Sequence, residues 1–268
     1  MPSGTRSKAV RNARSVVAAS KPKPWGTVAA VLALVLFAGG VFGYLYYRYD
    51  SRVDFTPTAE RQDPSLQLDG IQTVELAGGG HVRADQRVGY TTSPPLGGAH
   101  DSVWAACNGV VYETPVRSEN VVHSMEHGAA WIAYNPDLVT GDALQSLRDR
   151  VQGQQYLVMS PYPGLDRPIS LQSWGHQLKV DSADDERIDQ FIQSLRQNQY
   201  THPEVGATCD IPVTSFDPAN PPPFDPAPPG SDAVSQDYSG SGGSQPGVVD
   251  GAAPGGAPAP APAPVPGG

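Results

Sequence analysis

Six histidines, His81, His100, His123, His127, His176 and His202, lie in one part of the chain, and two of them share a dense motif, Val121-Val122-His123-Ser124-Met125-Glu126-His127-Gly128. On a turn of helix His123 and His127 stand at i and i+4, on one face, the spacing at which two imidazoles reach a common metal ion. Gly128 suits the end of such a helix. His100 follows a stiff loop, Ser93-Pro94-Pro95-Leu96-Gly97-Gly98-Ala99, and His81 follows Gly78, Gly79 and Gly80. Imidazoles on constrained backbone are what a preorganised site requires. The expected chemistry is metal ligation by His81, His100, His123 and His127. Four imidazoles would close a structural zinc site, and three with an open position suit copper or catalysis. Met125 offers a soft thioether to Cu(I) but is expected to pack in the core. Glu126 is expected to orient a ligating imidazole from outside the ligand set.

The same residues match H-x-x-E-H, the inverted zincin pattern, in which two His bind zinc and the Glu activates water. That chemistry needs a helix running through the site, whereas the β-rich apolar run Ala129–Tyr134 begins directly after Gly128. No nucleophile elbow and no phosphate loop accompany it. The reading therefore leans away from an enzyme, and a metallohydrolase using Glu126 ranks last.

The elements that must carry these residues are of mixed type. Residues 71–76, Ala129–Tyr134, Gln155–Ser160 and Ile169–Trp174 read as strands. Asp142–Val151 has helical spacing. Asp184–Gln197 is the best helix, with Ile188, Phe191, Ile192 and Leu195 on one face and Asp184, Asp185 and Glu186 at its positive end. Strands and helices do not alternate strictly, so the expected class is α+β.

Outside this domain the chain is segmented. Residues 26–47 form an uncharged apolar run of 22 residues, with Trp25 before it and Tyr44, Tyr46 and Tyr47 at its end. A helix of that length spans a hydrocarbon core of about 30 Å, and aromatics at both ends fit the interfacial belts. A cleaved signal peptide is the rival, but the run is longer than a signal core and no clear A-x-A site follows. Residues 1–25 hold six Lys and Arg and no acid. The remaining 12 basic residues lie beyond Tyr47 with all 27 acids, a net −15 there. The positive-inside rule then sets residues 1–25 in the cytoplasm and the rest outside, as a single-pass protein of the plasma membrane. So acidic an outer portion argues against nucleic acid as a partner.

The layout expected is a basic segment 1–25, a transmembrane helix 26–47, a stalk 48–70, a folded domain 71–210 and a tail 211–268. The tail has 15 Pro and 10 Gly in 58 residues. Such a composition cannot bury enough apolar surface to offset its ordering entropy, so it is expected to be disordered and partly polyproline II. It is either a solvated spacer or a docking peptide for a membrane-protein or cell-envelope partner. The two cysteines, Cys107 and Cys209, sit near opposite ends of the folded region. In an oxidising compartment they suit a disulfide. Free thiols and metal ligation are the alternatives.

The order of motifs resembles a bacterial family known as domain of unknown function 3105 (DUF3105). The resemblance rests on His81, Val88-Gly89-Tyr90, Pro94-Pro95 with Gly98 and His100, Gly109-Val110-Val111-Tyr112, the block Val122–Gly128, Ser160-Pro161-Tyr162-Pro163 and Trp174-Gly175. It covers residues 71–210, about half of the chain. It implies a single membrane helix with an outer domain, and a pattern that includes His81, His100, His123, Glu126 and His127. The proline loop departs from it: where the family looks like P-P-T-S-G-P-H, this chain has Pro94-Pro95-Leu96-Gly97-Gly98-Ala99-His100 and lacks the hydroxyl pair. The resemblance implies no activity, because none is established for the family. The favoured function is a membrane-anchored extracytoplasmic protein with a zinc or copper site. The alternative is a structural or assembly module that acts through its Pro-rich tail.

Overall fold

The computed structural model describes residues 25–211 and 215–240. The first element is a long helix, α1 (Trp25–Asp54), in which Trp25–Tyr47 is long and apolar enough to cross a membrane, with a mean hydropathy of 2.3. Its apolar side chains stay exposed, as lipid-facing ones do. The basic segment expected at 1–25 lies outside the described residues up to residue 24.

The remaining elements form a mixed domain. In chain order they are a 3-10 turn (Pro64–Gln67), β1 (Gln72–Thr73), β2 (His81–Val82), β3 (Val88–Gly89), β4 (His100–Asp101), β5 (Asn108–Val111), α2 (Ser118–Glu126), β6 (Ala130–Tyr134), α3 (Gly141–Val151), β7 (Leu157–Pro161), β8 (Ile169–Ser173), β9 (His176–Val180), α4 (Arg187–Leu195) and β10 (Val234–Ser235). Six strands make the central sheet in the order β1-β9-β8-β6-β7-β5. Strands β5 and β6 run parallel to β7, while β8, β9 and β1 continue as an antiparallel meander. The mixed sheet with unevenly placed helices is the α+β class expected.

Strand β6 shows how the sheet is buried. Alternate residues of a strand face opposite ways. Ala130, Ile132 and Tyr134 enter one core, with Leu147 and Val151 of α3 and Ile188, Phe191 and Leu195 of α4. Trp131 and Ala133 enter the other, with Val121, Val122 and Met125 of α2. A strand covered on both faces reads as a continuous apolar run, which is why Ala129–Tyr134 was legible. Each fully buried Leu, Ile or Phe contributes about 1.5–3 kcal/mol. Met125 packs in the second core with no exposed surface, so its thioether serves packing.

The residues expected as a stalk divide. Helix α1 continues to Asp54, Leu68 is buried in the first core and Phe55 packs against it. The disulfide between Cys107 and Cys209 is formed, closing a separation of 102 residues within the second core. The tail expected from residue 211 also divides. Residues 241–268 lie outside the described residues, whereas 215–240 return to the domain. Phe216 is buried, Val116 bridges to Pro223, and β10 pairs in parallel with β3. Backbone hydrogen bonds to other loops hold this strap, and such bonds need no apolar side chains.

Candidate metal centre

Helix α2 carries three of the residues singled out. It ends in a Schellman motif: Gly128 N–H donates to the Met125 carbonyl at 2.9 Å and Ala129 N–H to the Ser124 carbonyl at 3.0 Å. Gly128 has φ +92°, and a Cβ there would meet His202 Nε2 at 2.8 Å, so both conformation and packing call for glycine. The chain can then turn at once into β6, leaving His123, Glu126 and His127 on the last turn of a short helix.

His81 and His100 arrive from a different device. Strands β2 and β4 pair in parallel, with His81 opposite His100. The loop before His81 runs so close to the loop before His100 that a Cβ on Gly79 would sit 2.1 Å from the Gly98 carbonyl oxygen and 2.6 Å from His100 Nδ1. The glycines preceding His81 are thus a condition of the two loops lying side by side. The strap locks both: Gly80 N–H donates to the Tyr238 carbonyl at 2.9 Å and Ala99 N–H to the Gln236 carbonyl at 2.7 Å.

The rings converge. Centroids lie 5.1 Å apart for His81–His100, 5.0 Å for His81–His123 and 4.6 Å for His100–His123. His81, His100, His123 and Glu126 each offer a ligand atom, and these atoms lie within 4.8 Å of one another. His127 does not join this group. Its ring lies 4.6 Å from that of His123, and it forms a second group with His123 and Glu204. Four histidines were expected around one point. The structure instead brings three together with Glu126 and sets the fourth one step outward.

Three of the rings are held in a defined tautomer. Nδ1 of His100 contacts the Gly98 carbonyl at 2.8 Å, Nδ1 of His123 the Asp101 carbonyl at 2.7 Å, and Nδ1 of His127 the Thr208 carbonyl at 2.7 Å. A carbonyl only accepts, so each Nδ1 carries a proton, and a ring in its neutral form then has its lone pair on Nε2. Backbone carbonyls commonly orient metal-binding imidazoles in this way. Burial, followed by the neighbouring His100, His127 and His81, pushes His123 well below its ordinary 6.5 against the raising effect of the Asp101 bond. His123 is therefore neutral at pH 7.

Carboxylates face these lone pairs. Glu126 Oε2 lies 2.9 Å from His100 Nε2, and Glu126 Oε1 accepts from Gly79 N–H at 2.9 Å. The His100 nitrogen is buried and lacks hydrogen-bond geometry to any partner. Glu204 Oε2 lies 3.2 Å from His127 Nε2. An oxygen anion set against a nitrogen lone pair is repulsive unless a proton or a metal cation lies between. Glu126 was expected to orient a ring from outside. Its oxygen instead faces the nitrogen on the ligating side, which makes it a candidate ligand. With Oε1 accepting from Gly79 N–H and Oε2 turned to the ligating side, the inverted zincin role of water activation lacks geometric support.

Buried ionic contacts brace the site. Arg117 pairs with Asp101, whose carbonyl holds His123, and with Glu119 at 3.4 Å. Glu119 in turn accepts from Val88 N–H at 2.9 Å, tying β3 to the start of α2. Trp104 covers the outer side, its ring 5.3 Å from His123 and 4.8 Å from His127. The sequence reading missed Glu204. Its one signal is position: it lies five residues before Cys209, so the disulfide carries it back toward α2. Of the other two histidines, His176 bonds Asp63 at 3.0 Å and His202 Nδ1 contacts the Glu126 carbonyl at 3.1 Å. Neither belongs to the two groups.

Residues 81–211 match a family described as Protein of unknown function (DUF3105). The resemblance drawn from the His, Pro-Pro and Trp-Gly motifs thus holds over the segment that contains the histidine cluster and both cysteines. No curated protein and no solved structure matches the chain.

Proposed function

We propose that this chain binds a transition-metal ion of the zinc or copper class in a domain tethered outside the membrane by α1. The observation that carries the reading is the convergence of His81, His100, His123 and Glu126 within 4.8 Å, with Nδ1 of His100 and His123 tied to carbonyls. Imidazole suits zinc, copper, iron and nickel, and a hard oxygen-seeking ion such as magnesium would not select it. Three imidazoles and one carboxylate make a four-ligand set, the number zinc takes in closed sites.

The disulfide supports an oxidising compartment, and the basic residues ahead of α1 support an N-terminus in the cytoplasm. The assembly reading loses part of its ground, because residues 215–240 are occupied against their own domain. Residues 241–268 of the tail lie outside the described residues.

The test is metal analysis of the full chain, purified without a His tag and reloaded with Zn2+ or Cu2+. One ion per chain is expected in the wild type and none in His123→Gln, with His202→Gln unaffected. An unchanged metal content in His123→Gln would overturn the assignment.

A further inference from the structure

His100, His123 and Glu126 of the inner group are buried, and His81, partly exposed as a residue, keeps its Nε2 buried. Side-chain exposure is nil for His100 and 4 % for Glu126, so an ion cannot reach the group directly from solvent past these two. Glu204 is different: its carboxylate is 48 % exposed and touches buried His127. A pocket of about 420 Å³ opens beside His127, lined also by His202, Arg196, Gln197, Tyr200 and Val205, the residue that follows Glu204. From there the imidazoles form a file. His127 neighbours His123 at 4.6 Å, and His123 neighbours His100 at 4.6 Å and His81 at 5.0 Å.

His123 belongs to both candidate groups. Its Nδ1 is committed to the Asp101 carbonyl at 2.7 Å, so it has one lone pair to give. It cannot serve two ions at once. The two groups are therefore alternative positions for one ion rather than a binuclear pair. Their ligand sets also differ in the sense a transfer needs. The outer group has two imidazoles and a carboxylate, a three-ligand set that leaves a position open to exchange, and the inner group has four ligands.

We propose that Glu204 and His127 are the entry station of a metal relay: an ion of the zinc class lands on them from the pocket and passes through His123 to the inner site. This rests on the metal-binding reading above. Glu204, exposed beside His127, supplies the negative charge that draws a cation to it, and His127 supplies the first fixed nitrogen. The ion then exchanges His127 and Glu204 for His81, His100 and Glu126 while His123 stays bound. No redox step is involved, and any proton held between His127 and Glu204 leaves to solvent as the ion arrives.

The experiment is stopped-flow loading of the full chain in detergent micelles with Zn2+, followed by removal with a chelator, for wild type, Glu204→Gln and His127→Gln. A lost entry group slows uptake and release together, whereas a lost ligand of the final site speeds release. Glu204→Gln is expected to slow both by at least about tenfold, the lower end of electrostatic steering effects. Because Glu204 is half-exposed, the variant is expected to fold, which its circular dichroism checks. Unchanged rates in Glu204→Gln with one ion still bound would overturn the relay alone. Faster release from His127→Gln would place His127 in the final site and also overturn it, as would two Zn2+ per chain at saturation. A wild type that binds no ion would overturn the metal-binding reading itself.

Discussion

His81 and His100 are opposite one another in a parallel pairing of two short strands, and their rings lie 5.1 Å apart, edge to face. Nineteen positions of sequence separate them. Their nearness depends on two glycine-bearing loops that run backbone against backbone, so the site is sensitive to changes in residues that bear no metal-binding atom.

Gly79→Ala tests this directly. The added Cβ would lie 2.1 Å from the Gly98 carbonyl oxygen, and backbone cannot give way as a flexible side chain does. Overpacking of this kind destabilises by about 1–3 kcal/mol. The expected outcome is a lower urea midpoint together with weakened Zn2+ binding. Gly141→Ala, whose Cβ meets nothing within 4 Å, should leave Zn2+ binding intact despite its own positive φ of +57°.

Truncation tests the strap. A chain ending at Thr214 loses the Tyr238 and Gln236 carbonyls that accept from Gly80 and Ala99, and the pairing of β10 with β3. A chain ending at Gly240 keeps them. Zn2+ affinity, measured by competition with a chelator, is expected to fall in the first and not in the second. Equal affinities would show that the strap does not hold the ligand loops.

Reduction of Cys107–Cys209 should destabilise strongly. A loop of 102 residues is worth about 4–5 kcal/mol in the chain-entropy view, and loss of native disulfides is measured at about 2–5 kcal/mol. The bond also pins the segment in which the Thr208 carbonyl holds His127 Nδ1. A Cys107→Ala/Cys209→Ala double variant is therefore expected to unfold at lower urea and to load Zn2+ more slowly than the oxidised wild type.

Acid stability should depend on Asp63. Burial raises its carboxyl pKa, but hydrogen bonds from His176 and Ser65 and the His176 charge outweigh that and hold it below its ordinary 3.8. A carboxyl depressed by folding contributes stability that is present above its unfolded value and lost as pH falls through the folded one. Unfolding free energy, measured by urea at pH 7 and at pH 3, is expected to drop between them, and to drop less in Asp63→Asn. An equal drop in both would assign the acid sensitivity to other groups.

The parts of the fold that were readable from the chain are those whose signal is local. The apolar face of α4 repeats every three to four residues, so Ile188, Phe191 and Leu195 announced a helix. Strands β6, β7 and β8 are apolar or β-rich runs bounded by breaks. Strands β9, His-Gln-Leu-Lys-Val, and β5, Asn-Gly-Val-Val, were not readable: in β9 tertiary contacts bury His176 and Gln177 without a local mark, and β5 is four residues long with a glycine inside it. The strap failed for a related reason. Its Pro and Gly content reads as unstructured, yet its backbone groups pair with loops more than a hundred residues away.

The candidate site divides in the same way. Residue chemistry and the i, i+4 spacing of His123 and His127 were legible, because helix geometry alone puts those rings side by side at 4.6 Å. The alternatives open to the two cysteines, a disulfide, free thiols or metal ligation, narrowed to one only when the chain brought them together at a Cα separation of 4.9 Å. Which imidazoles share a point was a matter for the assembled molecule. Carbonyls of Gly98, Asp101 and Thr208 fix which nitrogen each ring presents, and those carbonyls are identical in every residue type, so no letter of the sequence encodes them. The inward turn of Glu126, the outward step of His127 and the arrival of Glu204 at its side follow from packing across long separations. Composition names the ligands a chain possesses, while long-range backbone contacts select the set that meets.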